Sequence, residues 1–176
     1  MKRILSLMGV ALIVSYLQGC ASGATVAGMT SVKTFDAAKH HMPAKIQVAP
    51  AEGGNTTNPL WTSQVDSKSF EEALKASLQN NGLLAPDSGT YVLKSTLHEL
   101  DQQLFGLDLT VKAAVFYVLK DSLSGKDIFQ ETINSSHTAT FSDAFAAIKR
   151  LRLANEGAIR KNIEALIERL STVPTQ

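Results

Sequence analysis

Cysteine occurs once in 176 residues, at position 20, so no disulfide can form within the chain and the fold must hold by its core. Aromatic residues are scarce at 6%, with a single tryptophan, which argues against a ring-lined surface for stacking bases. An excess of charge of one sign is missing as well. The formal net charge is +1, and setting aside Lys2 and Arg3 leaves 15 basic against 16 acidic residues, or −1. Nucleic-acid phosphates need clustered cations, so nucleic acid is not an expected partner. Five prolines and eleven glycines are too few for a low-complexity chain. With 44% apolar and 19% charged residues, the composition is that of a chain that buries a core, and its length suits one domain.

What is present begins with an address. Met1-Lys2-Arg3 is a short positive segment, and Ile4–Leu17 is apolar apart from Ser6, Gly9 and Ser15. Such a run fits the apolar part of an export signal and falls short of the about 20 residues that span a bilayer. It ends in Leu17-Gln18-Gly19-Cys20, which resembles the lipobox of bacterial lipoproteins. In that motif a small residue precedes the cysteine whose thiol takes diacylglycerol. The cysteine becomes the new N-terminus, and its amine is then acylated. The resemblance implies a signal peptide over 1–19, lipidation at Cys20, and attachment to a membrane through acyl chains that is effectively permanent. Ala21 and Ser22 follow the cysteine, and Ala21 stands where an Asp would hold an enterobacterial lipoprotein in the inner membrane. The outer membrane, on its periplasmic face, is therefore the expected location.

Residues 21–32 are small and weakly patterned, so 20–44 reads as the lipidated cysteine and a flexible tether, and 45–176 as a single domain. His40-His41 has no third ligand at a supporting spacing, and no metal is expected. Lys45–Ala49 alternates as a strand. Ser67–Asn81 reads as a helix capped by Ser67 or Ser69, with Gly82 as its left-handed terminator and Leu83 folding back on Leu78. Alternation predicts strands over Thr90–Leu100 and, most strongly, Leu107–Lys120, and a turn at Ser122–Asp127 leads into a third around Ile128–Ser136. A long helix is predicted over Ser142–Leu170, opened by Thr140 with Asp143, with a break near Gly157 or a protruding end. The fold class is α+β: order β-α-β-β-β-α, two helices on one face of a mixed or antiparallel sheet, the other face at least partly wet.

No catalytic constellation emerges. Gly53-Gly54 lacks the Gly-Lys-Ser/Thr of a phosphate loop, and no Gly-x-Ser-x-Gly occurs. The acyl-transfer signature His-x4-Asp is missing: Gln103 stands five residues after His98, and Ser142 five after His137. His98 reads as a hydrogen-bonded structural histidine in a strand. No catalytic residue and no cofactor are expected. The candidate interaction surface is Asn58 and Trp61 in the loop before the first helix, with Arg150, Arg152, Asn155 and Glu156 on the last one. Three readings of that helix stay open. It could be a solvated face with pairs such as Arg152–Glu156 and Glu156–Arg160, an anion or headgroup site, or a buried network reaching Asp101 or Asp108.

Three stretches resemble a family of small proteobacterial lipoproteins: Gly53-Gly54-Asn55-Thr56-Thr57-Asn58-Pro59-Leu60-Trp61, Leu100–Asp108, and Phe141-Ser142-Asp143-Ala144-Phe145 continuing through Arg150–Gly157. Members often carry the name UDP-N-acetylglucosamine acyltransferase, which implies acyl transfer. The lipid A acyltransferase of that title is a left-handed β-helix with a six-residue aliphatic repeat, and no such repeat runs through this chain. The element order is also similar to periplasmic lipoproteins that serve as accessory subunits of envelope transport and assembly machines. The expected function is thus a non-catalytic binding, assembly or transport-accessory module partnered with a larger envelope complex, its wet sheet face and the 53–61 loop docking on that partner. The alternatives are an acyltransferase-like enzyme and a lipid- or anion-binding carrier.

The first test is chemical. Intact mass of the mature protein should start at Cys20 with added lipid, and Cys20→Ser should release the protein from membranes. An unmodified soluble product starting elsewhere overturns the assignment.

Overall fold

The structure is a computed structural model and describes residues 22–35, 42–58 and 62–173. Its elements are α1 (Val26–Met29), β1 (Ile46–Val48), α2 (Ser67–Asn80), β2 (Tyr91–Gln102), β3 (Leu109–Asp121), β4 (Asp127–Ala139) and α3 (Ala147–Leu170). The sheet runs β1-β2-β3-β4, with β1 parallel to β2 and the other pairs antiparallel. The mixed form of the expected α+β fold is the one adopted. Among the described residues no helix is long and apolar enough to cross a membrane.

The long strands follow from their alternation. In β3, Leu109, Val111, Ala113, Val115, Tyr117 and Leu119 are buried, while the residues between them are partly or fully exposed. β2 departs from strict alternation by a bulge between Leu97 and Glu99. The extra residue lets Leu97 and Leu100, three apart, both turn toward the helices. His98 sits at the bulge and is exposed, and its structural role is a stack on Phe116 of β3 at 5.6 Å between ring centroids rather than the expected hydrogen bond.

The two long helices cover the inner face. α2 buries Phe70, Ala73, Leu74 and Leu78. Its N-cap is Asp66, one residue before the expected serine, accepting from Ser69 N at 2.8 Å. The carboxylate accepts that bond better than a hydroxyl and answers the positive end of the helix dipole. Its C-terminus closes as anticipated: Gly82 has φ +66°, and Leu83 N reaches Leu78 O at 2.9 Å.

α3 starts five residues later than its apolar stripe suggests. Asp143 Oδ2 accepts from Thr140 N at 2.7 Å and Thr140 Oγ1 at 2.8 Å. The Thr–Asp pairing thus closes a local turn instead of opening the helix, whose N-cap, Ala146, has no side-chain bond. From there α3 runs unbroken through Gly157. The glycine is there because the His137 ring, projecting from β4, occupies the space of its missing side chain. Burial, with Lys161 and Arg160 nearby, holds the His137 pKa below its ordinary value. Deeper in, Tyr117 donates to Asn162 Oδ1 at 3.0 Å, and Asn162 Nδ2 donates to Ile133 O at 2.7 Å, so one buried asparagine ties the helix to two strands.

The expected tether is revised over 22–35. Ala24, Met29 and Ser31 are buried, and α1 lies between α2 and α3. Small residues without a pattern suit a strap pressed against two helices as well as they suit a coil.

Helix propensity favours alanine over glycine by about 1 kcal/mol. Gly157→Ala should nonetheless lose about 1–3 kcal/mol in urea denaturation, because the new methyl collides with His137. In a His137→Ala background the same change should stabilise. A gain in the wild-type background refutes the packing described.

Candidate functional site

The N-terminal half of α3 carries the polar residues singled out from the sequence, and the helix sends them three ways. Arg150 turns back toward the loop that precedes it. Its guanidinium donates to Ala144 O at 2.8 Å and Phe145 O at 2.7 Å, and lies 5.3 Å from the centroid of Phe141. Asn155 faces the loop before α2. It donates to Ser63 O at 2.9 Å and accepts from Gln102 Nε2 at 2.8 Å, while Gln102 also donates to Ser63 O.

The third direction is a ladder. Arg152, Glu156, Arg160 and Glu164 stand four apart on α3, about 6 Å per step. The strap offers Ser22, Thr25, Gly28 and Ser31, three apart. Arg152 donates to Ser22 Oγ at 2.6 Å. Glu156 Oε1 accepts from Thr25 N at 2.9 Å and Thr25 Oγ1 at 2.8 Å, with Arg152 Nε 3.6 Å away. Arg160 donates to Gly28 O at 2.8 Å, and Ser31 Oγ donates to Glu164 Oε1 at 3.1 Å. Gly28 has no room for a side chain, because a Cβ there would strike the Glu156 carboxylate. Beyond the ladder, Ser77, Asn80 and Asn81 of α2 and its cap hold Ser31, Lys33 and Phe35.

Three residues expected at an interaction surface are therefore interior. Arg150, Asn155 and Glu156 are 4%, 0% and 6% exposed. Burial fits the network reading, with the strap, Ser63 and Gln102 as partners instead of Asp101 or Asp108. Asp101 pairs with Lys112 at 3.9 Å in solvent, and Asp108 accepts from Phe141 N at 3.0 Å. The Arg152–Glu156 pair forms, while Arg160 goes to the strap. Asn58 is exposed, and its carbonyl accepts from Thr62 N at 3.3 Å. Cys20, His40, His41 and Trp61 lie outside the described residues.

A second feature had no sequence signal beyond scattered apolar residues in two loops. Phe105, Phe145 and Leu107 are 87%, 84% and 73% exposed, with Leu104 and Phe141 about half exposed. Phe141 and Phe145 meet edge to face at 5.4 Å. An open cleft of about 400 Å³ is lined by Thr62, Leu104, Phe105, Leu109, Ala147, Ile148 and Leu151. Arg150 holds the loop that carries Phe141 and Phe145. Among the described residues no three His, Cys, Asp or Glu side chains are grouped to hold a metal.

Gly28→Ala and Glu156→Ala should each lower stability by about 1–3 kcal/mol and expose residues 22–35 to limited proteolysis. The double variant should cost little more than the worse single one, because both break the same rung. Additive losses overturn the rung as drawn.

No family model matches the chain, and no curated protein matches it. Solved structures share its fold. XCC0632 from Xanthomonas campestris, of the DUF330 family, is 14% identical, with a TM-score of 0.57 over 78% of this chain and 90% of that one. CT253 from Chlamydia trachomatis is 11% identical, with a TM-score of 0.54 over 74% and 97%. A protein of Caulobacter crescentus CB15 assigned as a lipoprotein is 17% identical, with a TM-score of 0.51 over 72% and 88%. At these identities the likeness is one of fold, and the fold is shared by proteins from several bacteria.

Proposed function

We propose that this chain is a non-catalytic lipoprotein of the cell envelope, anchored to the outer membrane by acyl chains on Cys20 and serving as an accessory or assembly module of a larger envelope complex. The observation that carries the reading is the ladder. It seizes the chain at Ser22, two residues after the cysteine of the lipobox-like Leu17-Gln18-Gly19-Cys20. A lipid on Cys20 would then hold the domain within about 7 Å of its anchor. A catalyst for soluble substrates gains little from such a leash, whereas a subunit of a membrane assembly gains a high effective concentration beside its neighbours.

The polar side chains support the same reading. Arg150, Asn155, Glu156 and Asn162 are spent on holding segments together. His137 is wedged against α3, and Asp143 is occupied by Thr140. The resemblance to a lipoprotein family, and the lipoprotein name carried by the Caulobacter neighbour, agree with the anchor.

Crosslinking in living cells should yield one discrete complex of constant stoichiometry, lost with Cys20→Ser. Purified protein should transfer no acyl group to UDP-N-acetylglucosamine. Transfer abolished by His98→Ala or His137→Ala, or a protein that stays monomeric on crosslinking, overturns the reading.

A further inference from the structure

Five large apolar side chains crowd one end of the domain: Leu104, Phe105 and Leu107 from the β2–β3 loop, Phe141 and Phe145 from the loop before α3. Isolated exposed apolar residues need no explanation, but a contiguous group marks a surface with an apolar partner. This group is also braced. Asp108 receives Phe141 N at 3.0 Å and so ties one loop to the other. Arg150 holds the carbonyls of Ala144 and Phe145 and lies against the Phe141 ring. A buried guanidinium thus holds the backbone of the loop that bears the exposed phenylalanines, next to the open cleft lined by Leu104 and Ile148.

The partner is indicated by where Ser22 is held. Ser22 is bonded to Arg152, the neighbour of the cleft residue Leu151. Ala24 N donates to Gln64 O at 2.9 Å, and Gln64 Nε2 donates to Thr62, which lines the same cleft. The chain thus enters the domain at the apolar end, and Cys20 is two residues before Ser22. Leu123, 93% exposed in the β3–β4 turn, marks the opposite end of the same antiparallel strands.

We infer that the domain sits on the bilayer with this end down, Phe105, Leu107 and Phe145 inserted at the boundary between headgroups and acyl chains. The inference rests on the lipid anchor proposed above and adds to it a fixed orientation. The anchor supplies proximity and the aromatic tips supply direction, two signals acting at one surface. Inserted phenyl and isobutyl groups leave water, while Gln103, Asp108 and Asp143 at the rim remain among the headgroups.

The test uses the full-length mature protein in vesicles of phosphatidylethanolamine and phosphatidylglycerol, in a Trp61→Phe background. A single tryptophan is placed by Phe105→Trp, Phe145→Trp or Leu123→Trp, all exposed positions. With bromine on the acyl chains of the vesicle lipids, the first two should be quenched several-fold more than the third. Equal quenching at the two ends, or emission at position 105 that shifts without quenching because the protein's own acyl chain fills the cleft, overturns the inference. Adding the Cys20→Ser protein to the same vesicles separates the two proposals. Preferential quenching that persists at 105 and 145 supports insertion even where intact mass refutes acylation, and an acylated, vesicle-retained protein with no end-to-end difference refutes insertion alone.

Discussion

A carboxylate taken out of water must be met by donors, and Glu156 meets them at a single place, the strap that passes over α3. Thr25 gives it a backbone and a side-chain hydrogen, and Arg152 stands one turn away. Much else follows from that requirement. α3 must be straight enough to keep Arg152, Glu156, Arg160 and Glu164 in line. Gly28 must have no side chain, and the strap must stay closed so that Met29 remains covered. The strap's partners are neutral hydroxyl, amide and carbonyl groups, and at Glu156, the one buried charge of the four, losing Thr25 would strand a carboxylate out of water.

The legible parts of the fold were those written in local patterns. Period-two alternation marks β3 because Leu109 through Leu119 face a continuous core. Gly82 marks the end of α2 because only a residue at ease with positive φ closes that turn. The misread parts share a cause, a signal with two physical solutions. Thr140 with Asp143 closes a turn as readily as it caps a helix. Gly157 looked like a break and proved to be a seat for His137. The bulge at His98 could not be seen in a strand whose inward residues are simply offset.

The candidate site was half legible for a related reason. Arg150, Arg152, Asn155 and Glu156 stood out as polar residues on a helix that must pack, and a buried network was one of the readings they allowed. Their partners were invisible, because Ser22, Thr25, Gly28 and Ser31 belong to a stretch whose small residues carry no periodicity of their own. The matching of three-residue steps on the strap to four-residue steps on the helix shows only when the two are side by side. The apolar loops carry no pattern either, since exposure is a property of the finished fold.

Those rungs join residues 130 to 133 positions apart in the chain. The strap is made first and its partner helix last, so no rung can form until nearly the whole domain has been synthesised, and closing so large a loop is slow. Until α3 is complete, Ser22, Thr25, Gly28 and Ser31 have no rung to dock on. The docking of the strap is thereby ordered by topology alone, with the residues made early waiting for the helix made late.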